Sequence, residues 1–171
     1  KLSDYIKSHE DECIDMVAIP NVLGISVRCS YTNGYLYRIN IIGDGYKYTD
    51  ITAKFREQLP KFVDVFSKYS LVELRGKITI FNNHSDLQNT SLNVECSTMH
   101  LLRLGLNSSD MSIVIDDLFI DTDDLLPFDN QWDKLEYIRE LGFNVPHHAL
   151  IRNVEHSILE DAFSSFRDYF S

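Results

Sequence analysis

The clearest pattern in the chain is an alternation of apolar and polar positions that begins at Ile25. Ile25, Val27, Cys29 and Tyr31 are interleaved with Ser26, Arg28 and Ser30, as in a strand with one face buried. Asn33-Gly34 follows, a pair suited to a tight turn because both central residues of a type I′ hairpin need positive φ. Tyr35 to Ile42 returns as the partner strand, and Gly43-Asp44-Gly45 ends it in a loop. Further strands are predicted over Asp15–Pro20, Leu71–Phe81, Met111–Ile120 and Ala149–Ile151, the third of these containing the apolar run Ile113-Val114-Ile115. Helical spacing is read over residues 2–9, Thr49–Gln58 and Asn93–Leu104. A further helix is capped by Asn130, carries Trp132, Leu135, Ile138 and Leu141 on one face, and ends at Gly142. A last helix is capped by Asn153, with Val154, Ile158, Leu159, Ala162, Phe163, Phe166 and Phe170 as its stripe. Asn82–Thr90 and the acidic run Asp121–Asp129 read as loops. Hairpins separated by helices favour an α+β fold over a doubly wound sheet.

At 171 residues, with 44% hydrophobic and 12% aromatic content, the chain can bury a proper core and is expected to form a single domain over 1–171, residues 1–14 being a lead-in helix. No apolar run approaches a membrane span, and the polar start Lys1-Leu2-Ser3-Asp4 is unlike a signal peptide. The missing initial Met suggests a piece of a longer protein. Cys13, Cys29 and Cys96 lack metal-ligand spacing, so reduced thiols and a cytoplasmic location are expected. The net charge of −10, sixteen basic residues against twenty-six acids, argues against direct DNA contact by this domain, because polyphosphate binding requires clustered Lys and Arg. No metal site is expected. Adjacent His147 and His148 project to opposite sides of an extended chain. Asp116, Asp117, Asp121, Asp123 and Asp124 lack the spaced ligands and turn glycine of a calcium loop and read as a solvated rim.

The punctuation of the chain resembles the adenylation domain of NAD-dependent DNA ligases, from about Ile19 to the C-terminus. In that family K-x-D-G leads through a strand to an N-G turn, then to R-G-D-G and D-I-T. Here Gly24, Asn33-Gly34, Gly43-Asp44-Gly45 and Asp50-Ile51-Thr52 stand at matching intervals. Glu73-Leu74-Arg75-Gly76 is similar to the family's E-V-R-G-E, Asn93 to His100 occupies the place of N-A-A-A-G-S-L-R, and Glu140-Leu141-Gly142-Phe143-Asn144-Val145 is similar to E-L-G-F-x-V. The resemblance implies a nucleotidyltransferase-like core of antiparallel sheets with flanking helices (the ATP-grasp-like core of ligases), present in part.

The departures fall where the family places its chemistry. The nucleophilic lysine position is Asn21 and the aspartate position is Leu23. The adenine-reading Glu is replaced by Ile19, the phosphate-binding Arg of R-G-D-G by Ile42, and the ribose-binding Glu of R-G-E by Lys77. Two DNA-side arginines of the family are Leu92 and His100. An asparagine amide nitrogen is delocalised into its carbonyl and offers no amine lone pair to an α-phosphate. The resemblance therefore implies a degenerate, non-catalytic domain of a replication or repair protein, acting through a protein partner or other domains of the same chain and needing no cofactor. Two alternatives stand beside it. One is a module that binds NAD or AMP at the family positions Ile19, Gly24, Ile42, Gly43, Asp44 and Lys77. The other is a working ligase fragment with Lys77 as a substitute nucleophile.

Overall fold

The computed structural model describes residues 15–42, 48–80, 111–122 and 126–152. The chain divides into two compact units, one formed by Lys1–Asn21 with His147–Ser171 and the other by Val22–Pro146. In the first, β1 (Met16–Ala18) pairs antiparallel with β7 (Ala149–Ile151), Val17 opposite Leu150. The expected strand at Asp15–Pro20 is thus trimmed to three residues, while the strand at Ala149–Ile151 is as read. The lead-in helix, the Gly43-Asp44-Gly45 loop, the loop at Asn82–Thr90, and the helices at Asn93–Leu104 and after Asn153 lie outside the described residues.

The larger unit is built on an antiparallel sheet of order β4-β3-β2-β5-β6, comprising β2 (Ile25–Thr32), β3 (Tyr35–Ile42), β4 (Tyr48–Asp50), β5 (Val72–Ile80) and β6 (Met111–Ile120). An α+β fold of antiparallel sheets with few helices is what these residues form. The β2–β3 hairpin turns at Asn33 (φ 48°) and Gly34 (φ 84°), the positive pair that a type I′ turn demands. Alternation then sorts the side chains. Val27, Cys29, Tyr31, Ile39, Leu74, Ile78, Ile113, Ile115 and Leu118 are buried on one face. Ser26, Arg28, Ser30, Arg38, Asn40, Glu73, Arg75 and Lys77 alternate with them on the other.

Beneath the hairpin, Tyr31 meets Phe66 and Phe143 edge-to-face at 5.6 and 5.8 Å, and its hydroxyl donates to the Pro60 carbonyl at 2.7 Å. Each fully buried aromatic of this kind stabilises the fold by roughly 2–3 kcal/mol. Phe143 reaches this cluster because Gly142 (φ 88°) reverses the chain after α2 (Gln131–Glu140). The Asn130 side chain caps that helix, its oxygen accepting from the Asp133 amide at 3.0 Å, as the sequence predicts. The next residue, Asn144, accepts from the Ile115 amide at 2.7 Å through its carbonyl. Gln58 completes the cover on that edge of β6, donating to the Met111 carbonyl (2.8 Å) and accepting from the Ile113 amide (3.2 Å). The first half of the outer strand, Met111 to Ile115, thus meets side-chain and loop partners, which hinders pairing with another chain there.

Two expectations need correction. Thr49 and Asp50 belong to β4, not to a helix over Thr49–Gln58. The helical part, α1, begins at Thr52, runs only to Phe55 and continues as a 3₁₀ turn over Arg56–Gln58. Pairing with Asn40 and Ile41 of β3 draws Asp50 and Thr49 into the sheet, and the Asp50 carboxylate, accepting from the Thr52 amide and hydroxyl, marks where the helix begins. Asp116 and Asp117 lie within β6, as the strand Met111–Ile120 predicts, but they are half-buried where the register shifts opposite Arg75-Gly76 and do not form a solvated rim.

Candidate functional site

Glycine at 24 follows from backbone packing. A Cβ built there would lie well inside van der Waals contact of the Ile78 carbonyl oxygen and 3.4 Å from the Lys77 Cβ. The strand after the tetrapeptide Asn21-Val22-Leu23-Gly24 thus begins flush against β5. Asn21 is exposed, Val22 and Leu23 are half-buried, and Ile19 is 37% exposed. Ile19 and Asn21 belong to the smaller unit, whereas Leu23, Gly24, Ile42 and Lys77 belong to the larger.

Within the larger unit the register brings two family positions into one row. Val27 is opposite both Ile41 and Gly76, and Ser26 is opposite Lys77. Ile42, Ser26, Lys77 and Val114 therefore run across β3, β2, β5 and β6 on the face turned away from the core. Ile42 and Lys77 are two strands apart, about 10 Å at the usual strand spacing. Both are half-buried. Gly43 and Asp44, the other positions expected to touch a nucleotide, lie outside the described residues.

Ile42 offers no hydrogen-bond donor, and Lys77 places an ammonium where a ribose-binding carboxylate is expected. Asp116, the extra residue of the β6 bulge, is half-buried near Lys77. Its carboxyl is held above the ordinary range, first by burial and then by the neighbouring Asp117 carboxylate, the Lys77 charge offsetting only part of this. Asp117 is tied down: it accepts from Lys134 Nζ at 2.8 Å and from the Leu118 amide at 2.9 Å. The sequence reads both aspartates as part of a solvated rim; the signal for a bulge is that two consecutive acids break the alternation of Ile113, Ile115 and Leu118.

The conserved-looking landmarks have backbone duties. Gly76 admits β6, because a Cβ there would collide with the Val114 carbonyl. Thr52 takes a hydrogen bond from the Ile39 amide at 2.8 Å and passes one to Asp50 at 2.6 Å, locking Asp50-Ile51-Thr52 against β3. Asp50 is held below the ordinary carboxylate range, chiefly by the Thr52 hydrogen bonds, with Arg38 adding to the effect.

Cys29 is a free, buried thiol, and burial pushes its pKa up to about 12, far from a reactive thiolate. Among the described residues no group of His, Cys, Asp or Glu is arranged to hold a metal ion, and no helix is long and apolar enough to cross a membrane. His147 and His148 lie in the smaller unit, just before β7.

No family model matches the chain. It is 28% identical over 157 residues, 79% of its length, to a DNA ligase of Marinobacter nauticus. It is 33% identical over 91 residues, 52% of its length, to a DNA ligase of Campylobacter concisus. The chain spans only 22% and 14% of the lengths of these two curated relatives. At this level of identity and coverage, it is DNA ligase-like.

Proposed function

We propose that this chain is a catalytically inactive adenylation domain of the NAD-dependent DNA ligase type, with a nucleotidyltransferase fold, retained as an interaction or regulatory module of a larger protein or complex. One observation carries the reading. Residues with backbone duties (Gly24, Asn33, Gly34, Asp50, Thr52, Gly76 and Gly142) are present at the family's spacing, while the positions of nucleophile and nucleotide contacts are Asn21, Leu23, Ile19, Ile42 and Lys77. Backbone geometry demands the first set whatever the protein does. An abandoned nucleotide pocket sheds charged groups, because buried charge without a partner costs several kcal/mol.

The residues present do not fit an adenylate. Asn21 has no nucleophilic amine, Ile42 cannot take a phosphate, and Lys77 lies on the β5 row beside Asp116 rather than at the head of the β2 hairpin. No reaction step is derived through NAD or AMP. Contact with DNA, in this reading, belongs to other parts of the larger protein, in keeping with the charge of −10.

Incubation of the purified chain with NAD, followed by intact-mass and peptide mass spectrometry, tests the reading, with calorimetry against NAD and AMP beside it. The expected result is an unchanged mass and no heat of binding. An adenylate on Lys77 would overturn the reading in favour of a working nucleophile. Heat with AMP and no adduct would favour a nucleotide-binding module.

A further inference from the structure

The turn between β2 and β3 holds a chemically fragile pair under tight restraint. Asn33 (φ 48°) is exposed and Gly34 (φ 84°) is buried. Glycine is compulsory at the second position, where a Cβ would lie 2.7 Å from a Phe62 ring carbon and 3.0 Å from the Val63 carbonyl oxygen. Asparagine followed by glycine is open to ring closure, because no side chain shields the following amide nitrogen from the asparagine carboxamide. The surrounding chain clamps this pair. The Asn33 amide donates to the Tyr69 carbonyl at 3.2 Å, and the Gly34 carbonyl accepts from the Val63 amide at 2.9 Å. The next residues extend the clamp: the Leu36 amide donates to the Lys61 carbonyl at 3.0 Å, and the rings of Tyr35 and Phe62 lie 4.7 Å apart.

We infer that Asn33 is a deamidation site that the folded hairpin keeps shut, so that its conversion records openings of the β2–β3 tip. In the reaction the Gly34 nitrogen bonds to Asn33 Cγ and the Cγ–Nδ2 bond breaks. The side-chain nitrogen leaves as ammonia, taking the Gly34 proton. Water then opens the succinimide ring: attack at Cγ gives aspartate, and attack at the main-chain carbonyl carbon gives isoaspartate, whose chain runs through Cβ and Cγ. Ring closure requires Cβ and the following nitrogen to eclipse each other about the Cα–C bond. In the left-handed region ψ is about +47°, which sets that nitrogen trans to Cβ. A rotation of roughly half a turn separates the two arrangements. The bonds to Tyr69 and Val63 hold both residues of the pair against it, so the tip must first open locally. The two products differ in consequence. Aspartate keeps the main chain and visits positive φ as asparagine does. Isoaspartate inserts a methylene into the main chain, so the two-residue turn no longer closes and Tyr35 loses its register opposite Thr32. This inference rests on the turn alone and is independent of the reading of the chain as an inactive ligase domain.

The test compares the whole chain with a synthetic peptide of residues 30–37, both warmed in the same mildly alkaline buffer. Samples are read by peptide mass spectrometry with fragmentation that separates isoaspartate from aspartate. At Asn33 the folded chain should convert at least about tenfold more slowly than the peptide. Phe62→Ser removes one ring of the clamp and should speed conversion in the folded chain about fivefold. Tyr35→Ser, on the other ring, serves if Phe62→Ser loses its cooperative melt. Chain carrying isoaspartate at position 33 alone, isolated by ion exchange, should melt below fresh protein, whereas Asn33→Asp should melt close to it. Equal rates in chain and peptide, no conversion in the peptide, a rate unmoved by the ring variants, or an isoaspartate form that melts with the fresh protein would overturn the inference.

Discussion

The Asp50 carboxylate accepts two hydrogen bonds from Thr52, one from its amide at 2.9 Å and one from its hydroxyl at 2.6 Å. The same hydroxyl accepts from the Ile39 amide, so one side chain joins β3, β4 and the start of α1. Thr52→Val keeps the shape and removes both hydroxyl bonds, leaving the Ile39 amide without its acceptor. We expect a loss of about 1–2 kcal/mol in urea unfolding. Because the folded Asp50 pKa is lowered, its contribution is complete above the ordinary value of 3.8 and fades as pH falls through the folded value. The difference between wild type and Asp50→Asn should therefore shrink below about pH 4. A constant difference down to pH 2 would show that the carboxylate charge is irrelevant to the motif.

Gly24→Ala and Gly76→Ala test whether these glycines are kept for close packing. Neither has positive φ among the described glycines, so backbone strain is not the reason. Each added Cβ meets a main-chain carbonyl, of Ile78 or of Val114, which cannot rotate away as a flexible side chain could. Each substitution should cost about 3 kcal/mol or more, at the upper end of overpacking effects. Gly142→Ala, whose Cβ would be 3.7 Å from Pro60 Cγ, has space but carries φ 88°, and should cost about 1–2 kcal/mol. Thermal melts that rank Gly142→Ala as the most damaging of the three would reverse this account.

The parts of the fold legible in the sequence are those written in local chemistry. Asn33-Gly34 fixes the hairpin and hence the pairing of β2 with β3. Apolar runs place β6 and β7 at the residues expected, and Asn130 with Gly142 brackets α2. The start of α1 was misjudged because Thr49-Asp50-Ile51 suits a helix as well as a strand, and only the arrival of β3 decides for the strand. The duty of Gly76 is invisible without β6 beside it. For the candidate positions, the sequence shows which side chains stand in the tetrapeptide, Asn21 and Leu23, but not the layout around them. That Ile42, Ser26 and Lys77 share a row depends on the non-local register of β2 with β5. Asp116 became part of the picture only through the bulge that half-buries it.

Asp116→Asn should stabilise the protein at neutral pH. Its carboxyl is raised first by burial and second by Asp117, and the attraction of Lys77 is the smaller opposing effect. A raised folded pKa means that ionisation at neutral pH works against the fold, a cost absent below the unfolded value of 3.8 and incurred as pH rises through the folded value. The amide substitution removes that cost and keeps the size of the side chain. Circular dichroism melts at pH 7 should show a midpoint a few degrees above wild type, and the gain should vanish near pH 3.5. A lower midpoint at pH 7 would mean that the pairing with Lys77 outweighs desolvation.

On the proposed reading as an inactive adenylation domain, a lysine and an aspartate placed in the tetrapeptide should not by themselves produce self-adenylation. Asn21→Lys with Leu23→Asp returns an amine and a carboxylate to the tetrapeptide, but leaves Ile42 and Lys77 in the row across β3, β2 and β5. Attack on an α-phosphate depends on holding phosphate and amine in line at near-bonding distance, and misplacement by about 1 Å can cost a hundredfold. Ile42 provides no donor to hold the phosphate. On that reading Lys77, with its positive charge, also stands where a carboxylate would orient the ribose. The double variant, incubated with NAD and read by intact mass, should therefore carry no adenylate. An adduct on the new lysine would show that Ile42 and Lys77 do not obstruct nucleotide binding, and that the change at Asn21 and Leu23 alone silenced the chemistry.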